Sequence, residues 1–405
     1  MKSLFLLGIV CLSLTLKAQE WGDLYHFNPE QTLQKIRFHD LSLGLTVGSL
    51  YNGSTKNIHR TTDGGKTWTD HSSGYTGTRF MDICYVEDSV VFMSGNDGLI
   101  LRSLDGGRNW VTLKTGTTEQ LWGLWFQSRK IGFAVGSNGI ILRTTNGGTV
   151  WDEIPSGVNN LLYDVVFTPS GKGFASGSNV LLKTDNGGDS WTPVTGFPYK
   201  APADWIRSIR FLDDNNGFAC ADIGRIYRTT DGGTSWERLN SPTTEALFDI
   251  DFLDQDHGLI CGFNGTILRT ANGGDAWLPM SSPLGTEHLY SVDITSSGEA
   301  YICTHFGHIL KLQKLVNTND WQWTQLEIFP NPTQDYINLR FLVEGDLSGK
   351  LFYEISDISG RIAIKGEIYS DSEQISVKPL APGNYMLKVF DKEQITSQSI
   401  QLIKH

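Results

Sequence analysis

Apolar and polar residues alternate along this chain in short runs, each closed by a turn signal. Ser208–Phe211, Phe248–Phe252 and Gly132–Gly136 are typical. Alternation with period two sends one face to a core and the other to solvent, which is the signature of a β-strand. The runs also recur in a fixed order. A run ending in an aromatic or apolar residue is followed by a polar turn. A second run opens on Gly-Phe or a similar pair, as in Gly132–Gly136 and Gly217–Cys220. A third reads Gly-x-Ile-Leu-Arg-Thr, as in Gly139–Thr144 and Gly265–Thr270. A glycine hairpin and a short fourth run complete the unit, so each unit predicts four antiparallel strands, A to D.

The hairpin is the most regular element. Six segments share the form Thr/Ser-x-Asp/Asn-Gly-Gly-x-x-Trp, with Asp63, Asp105, Asn146, Asn186, Asp231 and Asn272 at the acidic or amide position. Their tryptophans are Trp68, Trp110, Trp151, Trp191, Trp236 and Trp277, spaced 42, 41, 40, 45 and 41 residues apart. That period is the length of a four-stranded propeller blade. The Asp or Asn oxygen can accept backbone N–H groups inside the turn, and the Gly-Gly pair supplies positive φ. The Thr or Ser hydroxyl can tie the hairpin ends, and the buried indole N–H needs a local partner. Gly65→Ala is therefore expected to act through the backbone and not through contacts.

Two further units complete the count. The first begins at Gln34–Asp40, and a seventh runs through Leu289–Ser297 and Tyr301–Leu312. The seventh has lost its hairpin motif and carries a longer turn, Val316–Asp320, before Trp321 and Trp323. The expected fold is all-β: a seven-bladed β-propeller over residues 19–325, then a small Ig-like β-sandwich over 326–405. A propeller hides its strand edges by closing. Two segments can supply the last outer strand: Trp323–Leu326 locally, or Trp21–Phe27 from the other end. The local segment is expected, because a nearby loop costs less entropy to close.

The ends have their own texture. In Met1–Ala18 a single positive residue, Lys2, precedes an apolar stretch that ends near the small residue Ala18, the form of a secretory signal peptide and too short to span a membrane. The last 80 residues lack tryptophan and alternate in short runs such as Tyr336–Phe341, Leu351–Ile355 and Tyr385–Phe390.

These motifs carry two resemblances. The hairpin is similar to the Asp-box, or BNR, repeat. Its Arg-Thr-x-Asp-Gly-Gly-x-x-Trp form, preceded by Gly-x-Ile-Leu, resembles the photosystem II assembly/stability factor family. Xyloglucanase and sortilin-type repeats are also similar. The tail resembles the C-terminal sorting domain of the type IX secretion system of Bacteroidota. Ile328–Leu339 (IFPNPTQDYINL), Leu380–Val389 (LAPGNYMLKV) and Gln401–His405 (QLIKH) carry it. Pro330, Asn331, Pro332, Gly383, Tyr385 and Lys404 are the matching signal residues. The resemblance implies export, with the secretion machinery as a partner and a cell-surface or extracellular destination.

Composition narrows the chemistry. Of 44 glycines among 405 residues and of 12 tryptophans, the six hairpins account for 12 and 6, so the most conspicuous residues are structural. A net charge of −11 repels phosphate backbones, which argues against nucleic-acid binding. No cofactor motif or metal site is expected. His305-Phe-Gly-His308 lacks a clear third ligand and is read as solvent-exposed. Cys220, Cys261 and Cys303 share one strand-B slot and are read as small, unbridged core residues.

Strand-A acids, Asp82, Asp164, Asp249, Asp251 and Asp293, could serve glycoside hydrolysis. They lie beside Lys35, Arg37, Arg207 and Arg210, so inter-blade ion pairs are the expected role. Arg60, Arg102, Arg143, Lys183, Arg228, Arg269 and Lys311 recur once per blade and are expected to lie along the outer sheet. The expected function is binding of a protein or glycan by exposed loops, without catalysis. Tyr75, Trp122, Tyr199, Lys200, Asp204, Trp205 and His288 are the proposed contacts. The alternative is a glycoside hydrolase of xyloglucanase- or sialidase-like type.

Overall fold

The computed structural model describes residues 21–315 apart from 28–30, 51–56, 73, 76–77, 88 and 200–203, and residues 325–404 apart from 343–350, 358–360, 369–371 and 392–396. The leader Met1–Ala18, Lys200, Val316–Asp320, Trp321 and Trp323 lie outside the described residues.

Seven four-stranded antiparallel sheets succeed one another along the chain. Their innermost strands touch in sequence, and the strand Leu289–Ile294 of the seventh blade returns against Gln31–Phe38 of the first. Strand B is buried at every position in Gly132–Gly136, Gly173–Gly177, Gly217–Ala221, Gly258–Gly262 and Ala300–Thr304. Sheets stack on both of its faces, so every side chain there is closely packed. Strand D is two or three residues long and largely exposed, as in Thr69–Asp70 and Val111–Leu113.

An aromatic ladder joins the blades. The strand-B ring of one blade stacks on the last strand-A ring of the next: Phe92 on Phe126 at 3.8 Å, Phe133 on Phe167 at 4.5 Å, and Phe174 on Phe211 at 4.6 Å. Tyr301 of blade seven closes the series on Phe38 of blade one at 3.8 Å. Five of the motif tryptophans then meet that strand-A ring edge-on: Trp68 on Phe38, Trp151 on Phe126, Trp191 on Phe167, Trp236 on Phe211 and Trp277 on Phe252. Such edge and offset contacts add about 0.5–1.5 kcal/mol each beyond simple burial.

The hairpins follow the expected chemistry with two differences. Thr61 Oγ1 donates to Asp63 Oδ1 at 2.8 Å and accepts from Gly65 N at 2.9 Å. The same pair of bonds recurs at Ser103, Thr144, Thr184, Thr229 and Thr270. However, only Trp68 finds a local acceptor, Gly65 O at 2.9 Å. The indole N–H groups of Trp110, Trp151, Trp191, Trp236 and Trp277 have none. Ring packing therefore holds these tryptophans.

The second glycine is also more than a backbone hinge. A Cβ on Gly65 would come within 2.9 Å of Leu24 Cδ2, and one on Gly233 within 2.3 Å of Phe174. Contacts as well as φ thus exclude a side chain, which corrects the expectation for Gly65→Ala. Gly233→Ala combines positive-φ strain of roughly 1–2 kcal/mol with overpacking of roughly 1–3 kcal/mol. Chemical denaturation should show it as a lowered midpoint at unchanged slope.

The ring is closed by the distant segment, not the local one. Gly22–His26 is the outermost strand of blade seven, pairing Gly22 with Lys311 and His26 with His308. Trp21 is 4% exposed within that blade's core. Leu326 instead pairs with Phe341 in the first sheet of the tail. Loop entropy favoured the local hairpin, but burial of Trp21 and Leu24 outweighs it, and the tail needs Leu326 for its own sheet.

The tail is a sandwich of a three-stranded sheet (Gln325–Phe329, Tyr336–Leu342, Ser372–Ser376) and a four-stranded one. Ile337, Leu339, Ile355, Val377, Leu387, Val389 and Leu402 are fully buried between them.

Candidate functional site

Every innermost strand carries a β-bulge one residue after its first buried apolar anchor. The bulged residues are Gln34, Met81, Trp122, Tyr163, Arg207, Phe248 and Tyr290. A bulge re-aims the extra side chain. All seven side chains, with Arg79 and Lys35, line a single cavity of about 290 Å³ at the mouth of the channel. Repetition of one backbone irregularity thus converts seven unrelated residues into a ring.

The ring is aromatic and cationic. Trp122 meets Tyr163 edge-on at 5.5 Å, and Phe248 stacks with Tyr290 at 5.4 Å. Arg207 lies 4.5 Å from the Tyr163 ring centroid and 4.8 Å from that of Trp205. Its guanidinium is held by Asp222 at 2.8 and 3.2 Å. This corrects its placement among the channel ion pairs. Arg79 lies 5.7 Å from the Trp122 ring centroid. Arg79 Nε and Trp122 Nε1 are both shielded from solvent without a hydrogen-bond acceptor.

Beneath the ring lies a floor of ion pairs. Lys35 reaches Asp249 at 3.1 Å and Asp82 at 3.9 Å; Arg37 reaches Asp293 at 3.5 Å, and Arg210 reaches Asp251 at 3.3 Å. The carboxylates also accept amides from the next blade. Asp82 takes Leu124 N, Asp164 takes Ile209 N, Asp249 takes Val292 N, Asp251 takes Ile294 N, and Asp293 takes Phe38 N across the ring closure. The innermost strand of a blade has an unpaired edge, and buried amides require partners. The acids supply them.

Two of the floor acids diverge. Burial pushes Asp249 up, but Lys35, Arg37 and Arg210 outweigh it and hold the carboxyl well below the usual range. Burial dominates at Asp293 and lifts it from 3.8 to about 6, against the pull of Arg37. Because the folded state holds that proton between pH 4 and 6, its stabilising contribution is present at low pH and lost as pH rises through about 6. Melting temperatures of the native protein and Asp293→Asn, compared at pH 5 and pH 8, should shift in favour of the variant at pH 8.

The expected contact residues separate. Trp122 belongs to the ring. Trp205 is 38% exposed and flanks it through Arg207. His288 stacks on Phe263 at 3.8 Å on the same face. Tyr75 packs on Phe80 and touches Thr112 Oγ1 at 3.2 Å. Tyr199 packs against Phe197 at 4.6 Å. Asp204 is fully buried between Arg225 at 2.9 Å and Tyr227 Oη at 2.7 Å, so its carboxylate is consumed by the fold.

His308 is not simply solvent-exposed: it bonds Asp23 at 2.9 Å and stacks on His26 at 3.7 Å, within the closing strand. Among the described residues no His, Cys, Asp and Glu group could hold a metal. Four of the basic row reach past their own sheet to the next hairpin: Arg60 Nε donates to Gly106 O at 2.8 Å, Arg102 to Gly147 O at 2.9 Å, and Arg143 and Arg228 pair with Asp189 and Asp275; Lys183 and Lys311 pair within their own blades, with Asp185 and Glu299. Cys84, Cys220, Cys261 and Cys303 are free thiols, and burial pushes Cys303 up to about 12.

The sorting-signal residues converge although about 70 positions separate them. Asn331 Nδ2 donates to Gln401 O at 2.8 Å and Asn331 Oδ1 accepts Ile403 N at 2.9 Å, so one side chain clips the last strand. Thr333 N donates to Ile403 O at 2.9 Å, Lys404 is bonded to Gln334 O, and Gly383 pairs with Lys404. Tyr385 Oη donates to Ala381 O at 2.9 Å. Pro330 and Pro332 flank the clip.

The profile of the family described as photosynthesis system II assembly factor YCF48 matches residues 108–241 and 234–330. The chain belongs to this family. The profile of the secretion system C-terminal sorting domain matches residues 327–404. This YCF48-family propeller is accordingly exported by type IX secretion, to the cell surface or the extracellular space. Among the described residues no helix is long and apolar enough to cross a membrane.

Similar solved structures include YCF48 bound to a D1 peptide, at 19% identity and TM-score 0.59 over 74% of this chain and 96% of that one. PorZ, a surface component of the type IX secretion system of Porphyromonas gingivalis, is 14% identical at TM-score 0.59 over 94% of this chain and 60% of that one. A GH74 xyloglucanase from Xanthomonas campestris is 12% identical at TM-score 0.57, over 80% and 59%. At these identities the likeness is one of fold. No curated protein sequence matches the chain.

Proposed function

We propose that the protein is an exported binding protein, divided into a leader (1–18), a propeller (19–325) and a sorting tail (326–405), and that its ligand enters the mouth of the propeller channel. The observation that carries this reading is the ring of bulged side chains. Trp122, Tyr163, Phe248 and Tyr290 offer flat apolar surface, and Arg79 adds a guanidinium with no carboxylate partner among the described residues. A largely preformed concave site with a few convergent polar groups is the usual form of a binding pocket. YCF48 with its D1 peptide is a precedent for ligand binding on this fold.

The hydrolase reading draws support from the GH74 likeness and from one feature of the floor. Asp249 is held low and Asp293 is raised, a split that suits a base and an acid. Against it, both carboxylates lie in ion pairs and are occupied by Val292 N and Phe38 N. Non-catalytic binding accounts better for the site. The test pairs a pull-down from native cell envelope and medium with a polysaccharide hydrolysis screen. Trp122→Ala and Phe248→Ala should each weaken capture by tenfold or more at unchanged melting temperature. Turnover abolished by Asp249→Asn in a folded protein would establish the hydrolase instead.

A further inference from the structure

Taking the channel mouth as the ligand site, we infer that it selects a terminal sugar residue bearing a single carboxylate, a hexuronate-type pyranose, with Arg79 holding the acid group and Trp122 the ring face.

The sign of the ligand follows from what the mouth leaves unsatisfied. Arg207 is neutralised by Asp222 at 2.8 and 3.2 Å. Lys35 is neutralised by Asp249 at 3.1 Å. Arg79 has no carboxylate partner among the described residues, and its Nε lacks an acceptor. The neighbouring indole N–H of Trp122 is in the same condition. A guanidinium at the cavity wall with no carboxylate partner calls for an anionic acceptor, and a carboxylate against a guanidinium forms a charge-assisted bond. The rest of the molecule sets the limit. A chain with net charge −11 repels polyanions at long range, so one local cation suits a monoanion.

The class of ligand follows from shape. A cavity of about 290 Å³ lies at the small end of the usual range of roughly 300–1,000 Å³. It suits one terminal unit rather than a chain threading through. Aromatic rings at Trp122, Tyr163, Phe248 and Tyr290 present faces and edges on which the apolar face of a pyranose can pack. An extended peptide would bind best by pairing with a strand edge. That route is closed, because Leu124 N, Ile209 N, Val292 N and Ile294 N are already held by Asp82, Asp164, Asp249 and Asp251.

The test is calorimetric titration of the exported full chain with methyl galactopyranosiduronate, which carries one carboxylate, its neutral counterpart methyl galactopyranoside, and a tetrapeptide with a free C-terminal carboxylate. The uronide is expected to bind saturably, at least tenfold tighter than the galactoside, and more weakly as salt increases. Arg79→Met should remove that preference, Arg79→Lys should keep part of it, and Trp122→Ala should weaken both sugars. Melting temperatures of the three variants should match the native chain.

Equal affinity for the two sugars, an Arg79→Met variant that keeps the preference, or tighter binding of the tetrapeptide would each overturn the uronate assignment. The mouth reading would survive any of these if Trp122→Ala still weakened the ligand that binds. Binding insensitive to both Arg79→Met and Trp122→Ala would defeat the mouth reading itself. A folded chain that binds none of the probes rules out the uronate assignment.

Discussion

A chain lacking Trp21–Phe27 should fail to form a stable closed ring. The segment is seven residues of 405, yet it supplies the outer strand of blade seven through Gly22, Asp23, Tyr25 and His26. It also fastens that blade to the first one. Phe27 lies 4.2 Å from His59 and 5.9 Å from Trp68, and Leu24 packs over Gly65. Burial of a large apolar side chain is worth about 1.5–3 kcal/mol, so Trp21, Leu24 and Phe27 together reach about 4.5–9 kcal/mol as an upper bound. A whole domain is stable by only about 5–15 kcal/mol. Removing the segment would also leave the strand His308–Leu312 as an open edge. Urea unfolding followed by tryptophan fluorescence should show a lowered or vanished cooperative transition, with the ring proteolysed near Leu312. A synthetic peptide covering residues 19–30, added in trans, should restore part of the midpoint. A truncated chain that unfolds at the native midpoint would refute the account.

The closing strand marks where sequence reasoning stopped. Blade number was legible because the hairpin motif repeats with its own turn chemistry, and blade seven kept its strand pattern after losing the motif. Which segment closes the ring depends on competition between loop entropy and burial of Trp21. Only the packed structure decides that, because the partner surface is assembled from both ends of the chain.

The mouth was legible in part. Trp122 stood out as an aromatic near a loop, while Gln34, Met81, Tyr163, Arg207, Phe248 and Tyr290 did not. Each follows a buried apolar anchor, as Leu121 precedes Trp122 and Leu247 precedes Phe248. Aligning the seven repeats on that anchor would have gathered them into one column. Asp204 misled because a charged residue in a long loop suggests exposure, whereas Arg225 and Tyr227 draw it inside. The basic neighbours of the strand-A acids make ion pairing legible in the sequence. The acids' second task, capping the amides of the next blade, was invisible because it depends on register between blades.

That second task makes Asp249 the most consequential single side chain in the channel. Its carboxylate is 1% exposed and joins four blades. It accepts Ser208 Oγ at 2.9 Å from blade five, Ser291 Oγ at 2.7 Å and Val292 N at 3.2 Å from blade seven, and Lys35 Nζ at 3.1 Å from blade one. Asp249→Ala would leave Lys35 and Arg37 under-compensated in a buried site and orphan an amide and two hydroxyls. Breaking a buried pair by removing one partner costs about 3–5 kcal/mol. Asp249→Asn keeps the volume and one acceptor, so it should cost less than Ala.

The pH dependence separates charge from packing. A carboxylate held below its unfolded value contributes stability above about pH 4 that is lost as pH falls further. The gap between the native chain and Asp249→Asn should therefore be widest near neutral pH and shrink in acid, whereas a packing defect would persist. Pairing Asp249→Leu with Lys35→Met should recover part of the loss, because the double replacement removes the stranded cation as well. The measurement is a double-mutant cycle of urea midpoints at pH 7 and pH 4. Additive losses in that cycle would mean that the Lys35–Asp249 contact contributes nothing beyond the bonds that each partner makes elsewhere.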